Sequence, residues 1–123
     1  MAQPDITLDA QAIAALRALQ APGRPFILLR VMNLFESSAT ALLAELEQGL
    51  ESGDLPTLTR AAHTLKSSSG NIGAVALADC SKAIERCGRD GDLEGCRLGA
   101  AGLSTLFMST LAAVSVVRGQ ETA

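Results

Sequence analysis

The sequence predicts an all-α protein, an antiparallel up-down four-helix bundle with an additional short N-terminal helix. Three observations carry that expectation. Strand signals are nearly absent, with 2% aromatic residues and no segment that alternates apolar with polar side chains. Larger apolar residues recur instead at steps of three and four along extended stretches. Between those stretches stand compact turn signals at Pro22-Gly23, Ser52-Gly53, Gly73 and Gly88-Arg89-Asp90-Gly91-Asp92. At 123 residues and 48% hydrophobic content the chain can bury one core. A single unit over 1–123, with its core at about 9–118, is expected.

The first helix should run from about Asp9 to Gln20 with Ile13 and Leu16 inward, and Pro22-Gly23 ends it. Pro25 suits the first turn of a long second helix, where its missing N–H has no partner to lose. There the seam is Met32, Phe35, Ala39, Leu42, Leu46 and Gly49. Asp54 is placed to cap the third helix, its carboxylate accepting from free backbone amides, and Gly73 to end it. A fourth helix follows from about Ala74 to Arg89 with Leu77, Cys80, Ile84 and Cys87 inward. Asp92 should cap the last, in which Cys96, Ala100, Leu103, Phe107, Thr110, Val114 and Val117 keep the same rhythm. Short turns between long amphipathic helices make neighbours antiparallel.

Charge and cysteine usage exclude several functions. Thirteen acidic and ten basic residues leave a net charge of −3, without the basic excess of a nucleic-acid binder. Cys80, Cys87 and Cys96, with a single histidine, fit neither a disulfide framework nor a zinc site, so no metal site is expected and the thiols read as small apolar packing. The start, Met1-Ala2-Gln3-Pro4-Asp5, has no basic segment leading into an apolar one, which makes the cytoplasm the expected location. Leu98 to Val117 is uncharged and long enough to span a membrane, but five hydroxyl side chains, two glycines and a seven-residue rhythm favour a bundle helix.

The histidine is where the chemistry concentrates. It lies in Ala61-Ala62-His63-Thr64-Leu65-Lys66-Ser67-Ser68-Ser69-Gly70-Asn71-Ile72-Gly73. At roughly 100° per residue, Leu58, Ala62, Leu65 and Ser69 share one face of a helix, and His63, Lys66, Ser67 and Gly70 share the other. The imidazole therefore points away from the core. An exposed imidazole offers a nucleophilic nitrogen at neutral pH without a strong local base. Lys66, one turn on, can balance the charge of a phosphoryl group, while Ser67 and Gly70 keep the ridge low enough for a second protein to approach. That pattern describes a phosphoacceptor. Gly70-x-x-Gly73 is not a phosphate-binding loop, because no strand precedes it and no Lys-Ser/Thr follows.

The run from His63 through Lys66, Gly70, Ile72 and Gly73 closely resembles the histidine-containing phosphotransfer (HPt) family, whose motif is His-x-x-Lys-Gly, two small residues, and a glycine ten residues after the histidine. Leu34-Phe35, Leu46, Gly53-Asp54, Leu77, Cys80, Ile84-Glu85 and Gly91-Asp92 also fall where the family has similar residues. The resemblance implies the four-helix bundle, phosphorylation on His63 and electrostatic support from Lys66. Ser67 departs from the family's glycine, which implies a tighter approach or a more selective partner.

The expected function is a phosphorelay intermediate that accepts a phosphoryl group from a receiver-domain aspartate and passes it to another, without kinase or nucleotide-binding motifs. Magnesium is expected on the receiver, because no carboxylate cluster accompanies His63 in the sequence. The expected partners are response-regulator receiver domains or the rest of a hybrid sensor kinase, with neither nucleic acid nor membrane insertion. Ser67, Gly70 and Arg86 are the candidate partner contacts. Lys82, Arg86 and Arg89 share an outward face that reads first as solvated, and second as a basic ridge facing a receiver's acidic pocket. The competing reading is a helical adaptor whose histidine is idle; an enzyme using His63 as general base lacks a second catalytic group in the motif. Ser104, Thr105, Met108, Ser109, Ala112, Ser115 and Val116 are expected to form an uncharged outer face on the last helix, suited to rest against another copy or a neighbouring domain.

Overall fold

The computed structural model describes residues 8–23 and 26–122, and among them every regular element is a helix. In chain order these are α1 (Ala10–Ala18), α2 (Ile27–Ser52), α3 (Leu55–Asn71), α4 (Val75–Arg89), α5 (Leu93–Gly99) and α6 (Leu103–Thr122). Helix α2 packs on α3 and α6, and α4 on α3, α5 and α6, which closes a four-helix bundle with α1 laid against α2. The core is one cluster that includes Leu28, Met32, Phe35, Leu46, Leu58, Leu65, Leu77, Ile84, Phe107 and Val114.

The turns are built as their sequence requires. Helix α3 ends in a left-handed Gly73 with φ of 76°; Ala74 N–H donates to Ser69 O at 2.8 Å and Gly73 N–H to Gly70 O at 3.1 Å. This pairing satisfies carbonyls that a helix end otherwise leaves free. Gly73 has a second constraint, since a Cβ there would lie 2.7 Å from Asp9 N, whose N–H donates to Gly73 O and ties α1 to the α3–α4 turn. Asp9, Asp54 and Asp92 each accept a backbone amide three residues on, from Ala12, Thr57 and Gly95. The entry to α2 differs from expectation. Pro25 lies outside the described residues, Phe26 at the N-cap is left-handed with no side-chain cap, and Gln20 Oε1 accepts the Leu28 N–H at 3.1 Å instead.

Helix α1 is shorter than the expected span, ending at Ala18. Three further expectations need correction. The last helix is two: the chain breaks between Gly99 and Leu103, and α5 and α6 meet at 43°. Turn hydrogen bonds bridge the break, from Ala101 N–H to Leu98 O and from Leu103 N–H to Ala100 O, so the apolar rhythm continues across it although the helix does not. On α6, Ser109 is buried rather than outward, while Met108, Ala112 and Val116 are exposed. On α4 the buried stripe is Leu77, Ser81, Ile84, Glu85 and Gly88, with Cys80 and Cys87 half-buried at its edge. Small residues cause that rotation: a Cβ on Gly88 would lie 3.1 Å from Thr59 Cβ, so α4 meets α3 along its glycine and serine rather than its thiols.

The uncharged run Leu98–Val117 therefore does not form one straight span. Helix α2 is long and apolar enough to cross a membrane, but its Leu28, Met32, Phe35, Ala39 and Leu46 are buried against the other helices.

Candidate functional site

Helix α3 places Leu58, Ala62, Leu65 and Ser69 in the core, as its periodicity requires, and this alone turns His63 outward. Its side chain is 53% exposed. Lys66 is half-buried one turn on; Ser67 and Gly70 are exposed along the same ridge. Ser67 Oγ donates back to His63 O at 3.3 Å, the ordinary use of a serine on a helix surface. A Cβ on Gly70 would meet nothing within 4 Å, so folding makes no demand for a glycine there. The four α3 residues singled out from the sequence thus share one face. Arg86 joins them from α4, lining a groove with Lys66, Lys82, Glu85, Arg89 and Asp90.

The residue that sequence reasoning did not place is Glu85. It is 4% exposed, and its carboxylate faces α3 rather than solvent. His63 Nδ1 lies 2.8 Å from Oε2, Lys66 Nζ donates to Oε1 at 2.7 Å, and Arg89 donates to Oε2 through Nε at 3.1 Å and Nη2 at 2.5 Å. The Lys66 hydrogen bond, followed by those from Arg89 and His63, holds the Glu85 carboxyl down at about 2 against the upward push of burial. A signal for it did exist. Ser81, Glu85 and Gly88 stand at steps of four and three, and small residues either side of a carboxylate mark a helix face that another helix approaches closely.

At neutral pH Glu85 is therefore ionised, and a carboxylate accepts hydrogen bonds but cannot donate one. The proton shared with His63 sits on Nδ1. In the neutral ring this leaves the lone pair on Nε2, the nitrogen that Glu85 does not engage. Beside the ring, Pro56, Thr59, Arg60, Gly88 and Arg89 line a groove of about 450 Å³, so arginines from both α3 and α4 border the space next to His63.

The ion cluster has a consequence for stability. Glu85 titrates at about 2 against an ordinary value of 4.5, so the folded state takes up its proton less readily than the unfolded chain. Its contribution is fully present above about pH 4.5 and fades as pH falls toward 2, amounting to on the order of 3 kcal/mol at most. Chemical unfolding measured from pH 6 to 2.5 is expected to show a flatter acid limb for Glu85→Gln than for the native chain. Parallel curves would mean that Glu85 is not held ionised.

A family model for the Hpt domain matches residues 30–114, which include the core of α2 and all of α3 and α4. Among solved structures, histidine-containing phosphotransfer protein B from Pseudomonas aeruginosa superposes with a TM-score of 0.82 at 24% identity, covering 97% of this chain and 98% of that one. A histidine-containing phosphotransfer protein from maize superposes with a TM-score of 0.79 at 23% identity, covering 94% and 84%. At those identities the likeness is one of fold. No curated protein sequence matches the chain. Because the family match spans well over half the sequence and contains His63, Lys66 and Glu85, the chain belongs to the Hpt domain family, the histidine-containing phosphotransfer domains of phosphorelays.

Proposed function

We propose that this chain accepts a phosphoryl group from a receiver-domain aspartate onto His63 Nε2 and donates it to the aspartate of another receiver, acting in the cytoplasm. The observation that carries the reading is the contact between ionised Glu85 and His63 Nδ1, which leaves the nucleophilic lone pair on Nε2 of a half-exposed ring. In the forward step the Nε2 lone pair forms a bond to phosphorus, the phosphorus–oxygen bond to the aspartyl carboxyl breaks, and the carboxylate leaves with the electron pair. The ring gains positive charge while Nδ1 keeps its proton, and Glu85 beside it stabilises that charge as it develops. The reverse step runs through the same arrangement, since a cationic ring is the better leaving group. The receiver brings its own acidic pocket and magnesium.

The surroundings of His63 suit such a partner. Arg60, Arg86 and Lys82 are exposed around the site, a basic rim complementary to an acidic receiver pocket. Gly70 keeps the ridge low where folding alone would accept a larger side chain, and exposed Ser67 is small beside it. Incubating the chain with a phosphorylated receiver should place acid-labile, base-stable phosphate on it. Absence of such phosphate with a panel of receivers would leave the idle-histidine adaptor.

Lys66 carries a prediction of its own. Its ammonium is one helical turn from the ring and partly exposed, so it can turn from Glu85 toward a phosphoryl group on Nε2. Losing one such contact is worth on the order of 1 kcal/mol, or several-fold to about tenfold in rate. Lys66→Ala is expected to slow transfer by that factor and to lower the melting temperature only by its share of the Glu85 cluster, with the bundle still folded; unchanged single-turnover kinetics would make Lys66 a partner of Glu85 only.

A further inference from the structure

If Lys66 serves the phosphoryl group, it must leave Glu85, and that raises a problem of charge. Glu85 is almost wholly buried between α3 and α4, and a buried carboxylate stripped of its cation either takes up a proton or moves out. A protonated carboxyl could donate to Nδ1 as well as accept from it, and a displaced one would leave the ring, so either response would lose control of the His63 tautomer at the moment of transfer. The two carboxylate oxygens are divided in a way that bears on this. Lys66 holds Oε1, whereas Arg89 and the ring share Oε2.

We infer that Arg89 is a positioning residue that holds Glu85 Oε2 on His63 Nδ1 independently of Lys66, so that Lys66 is free to pass from Glu85 to the phosphoryl group. The inference rests on the phosphotransfer reading for its purpose, but its geometry stands apart from it. Arg89 follows Glu85 by one turn of α4, the favourable order for an ion pair along a helix. Its guanidinium places two N–H groups, Nε and Nη2, on the one oxygen that the ring also uses, a fork that an ammonium cannot reproduce. Lys82, Arg86 and Asp90 border the same groove, yet among the described residues the ion pairs of Glu85 are with His63, Lys66 and Arg89. With 63% of its side chain exposed, Arg89 has little part in the core, and its removal is not expected to unfold the bundle.

The test compares the whole chain as native, Lys66→Ala, Lys66→Ala/Arg89→Ala and Lys66→Ala/Arg89→Lys. Ring nitrogen chemical shifts, read by NMR at alkaline pH, report the His63 tautomer, and the Glu85 carboxyl carbon reports its titration. Lys66→Ala stands in for a lysine engaged elsewhere. In it, His63 is expected to keep its proton on Nδ1 and Glu85 to stay ionised at neutral pH, although its titration moves upward with the loss of the Lys66 hydrogen bond. Adding Arg89→Ala is expected to give a mixture of tautomers and to move the Glu85 titration upward, with Arg89→Lys restoring these only in part. With Lys66 intact, Arg89→Ala is expected to slow transfer from a phosphorylated receiver several-fold to about tenfold.

Loss of the Nδ1–H form in Lys66→Ala alone would overturn the inference, because Lys66 would then be the clamp. A double variant identical to Lys66→Ala in both NMR readouts would overturn it too, and slower transfer by Arg89→Ala in that case would make Arg89 a direct phosphoryl contact. The NMR readouts need no phosphate. A native chain that never labels would therefore remove the phosphotransfer reading without touching the measured clamp.

Discussion

Replacing His63 with glutamine is expected to abolish labelling by a phosphorylated receiver while leaving helicity and melting nearly unchanged. The two halves of that expectation have different causes. Glutamine has no nucleophilic nitrogen, so loss of transfer should be complete rather than partial. The fold should survive because the His63 side chain is more than half exposed, and Glu85 keeps Lys66 and Arg89 when the ring is gone. The lost contact is one hydrogen bond at a partly wet site, worth on the order of 1 kcal/mol. Phosphate uptake by the variant would place the acceptor elsewhere; collapse of the bundle would make His63 a structural residue.

Two positions further along the same helix the balance reverses. Leu65 is fully buried, in a core cluster that also contains Leu58, Ala62, Leu77 and Ile84. Leu65→Ala removes that packing and leaves a cavity that flanking helices close only in part, a loss of about 2–5 kcal/mol. Against a total stability of roughly 5–15 kcal/mol this is large, and at about 3–5 °C per kcal/mol for a chain of this size the midpoint should fall by roughly 6–25 °C. Urea and thermal unfolding check it. At low temperature, where the variant remains folded, transfer through His63 should persist, since the substituted side chain lies on the opposite face of α3. A loss below about 1 kcal/mol would contradict full burial of Leu65.

His63 and Leu65 also mark where local pattern suffices. Whether a residue on α3 faces in or out depends on the phase of the helix, and phase is written in the spacing of Leu58, Ala62, Leu65 and Ser69. The helix ends are equally local. A left-handed glycine followed at once by an aspartate, at Gly53-Asp54 and Gly91-Asp92, closes one helix and caps the next with groups a few residues apart. From such signals came the all-helical bundle, the exposed ridge of His63, Lys66, Ser67 and Gly70, and the resemblance to the family.

The partners of that ridge were not legible, because they come from a different helix. On α4 the large apolar residues suggested a face through Cys80 and Cys87, whereas close contact with α3 favours small Ser81 and Gly88 and turns Glu85 inward with them. A charged residue taken alone reads as solvated; only the ammonium, guanidinium and imidazole brought together across α3 and α4 make burial of that carboxylate favourable. The break between α5 and α6 was hidden for a different reason: the apolar rhythm from Cys96 to Val117 runs through it unbroken while the chain bends by 43° in a short turn at Gly99-Ala100-Ala101-Gly102. The all-helical class, the helix caps and the direction in which His63 faces were legible in the amino-acid order, for those follow from interactions within a few turns. What holds the imidazole was settled by packing alone, because Glu85 is 22 residues from His63 and meets it where two helices come together.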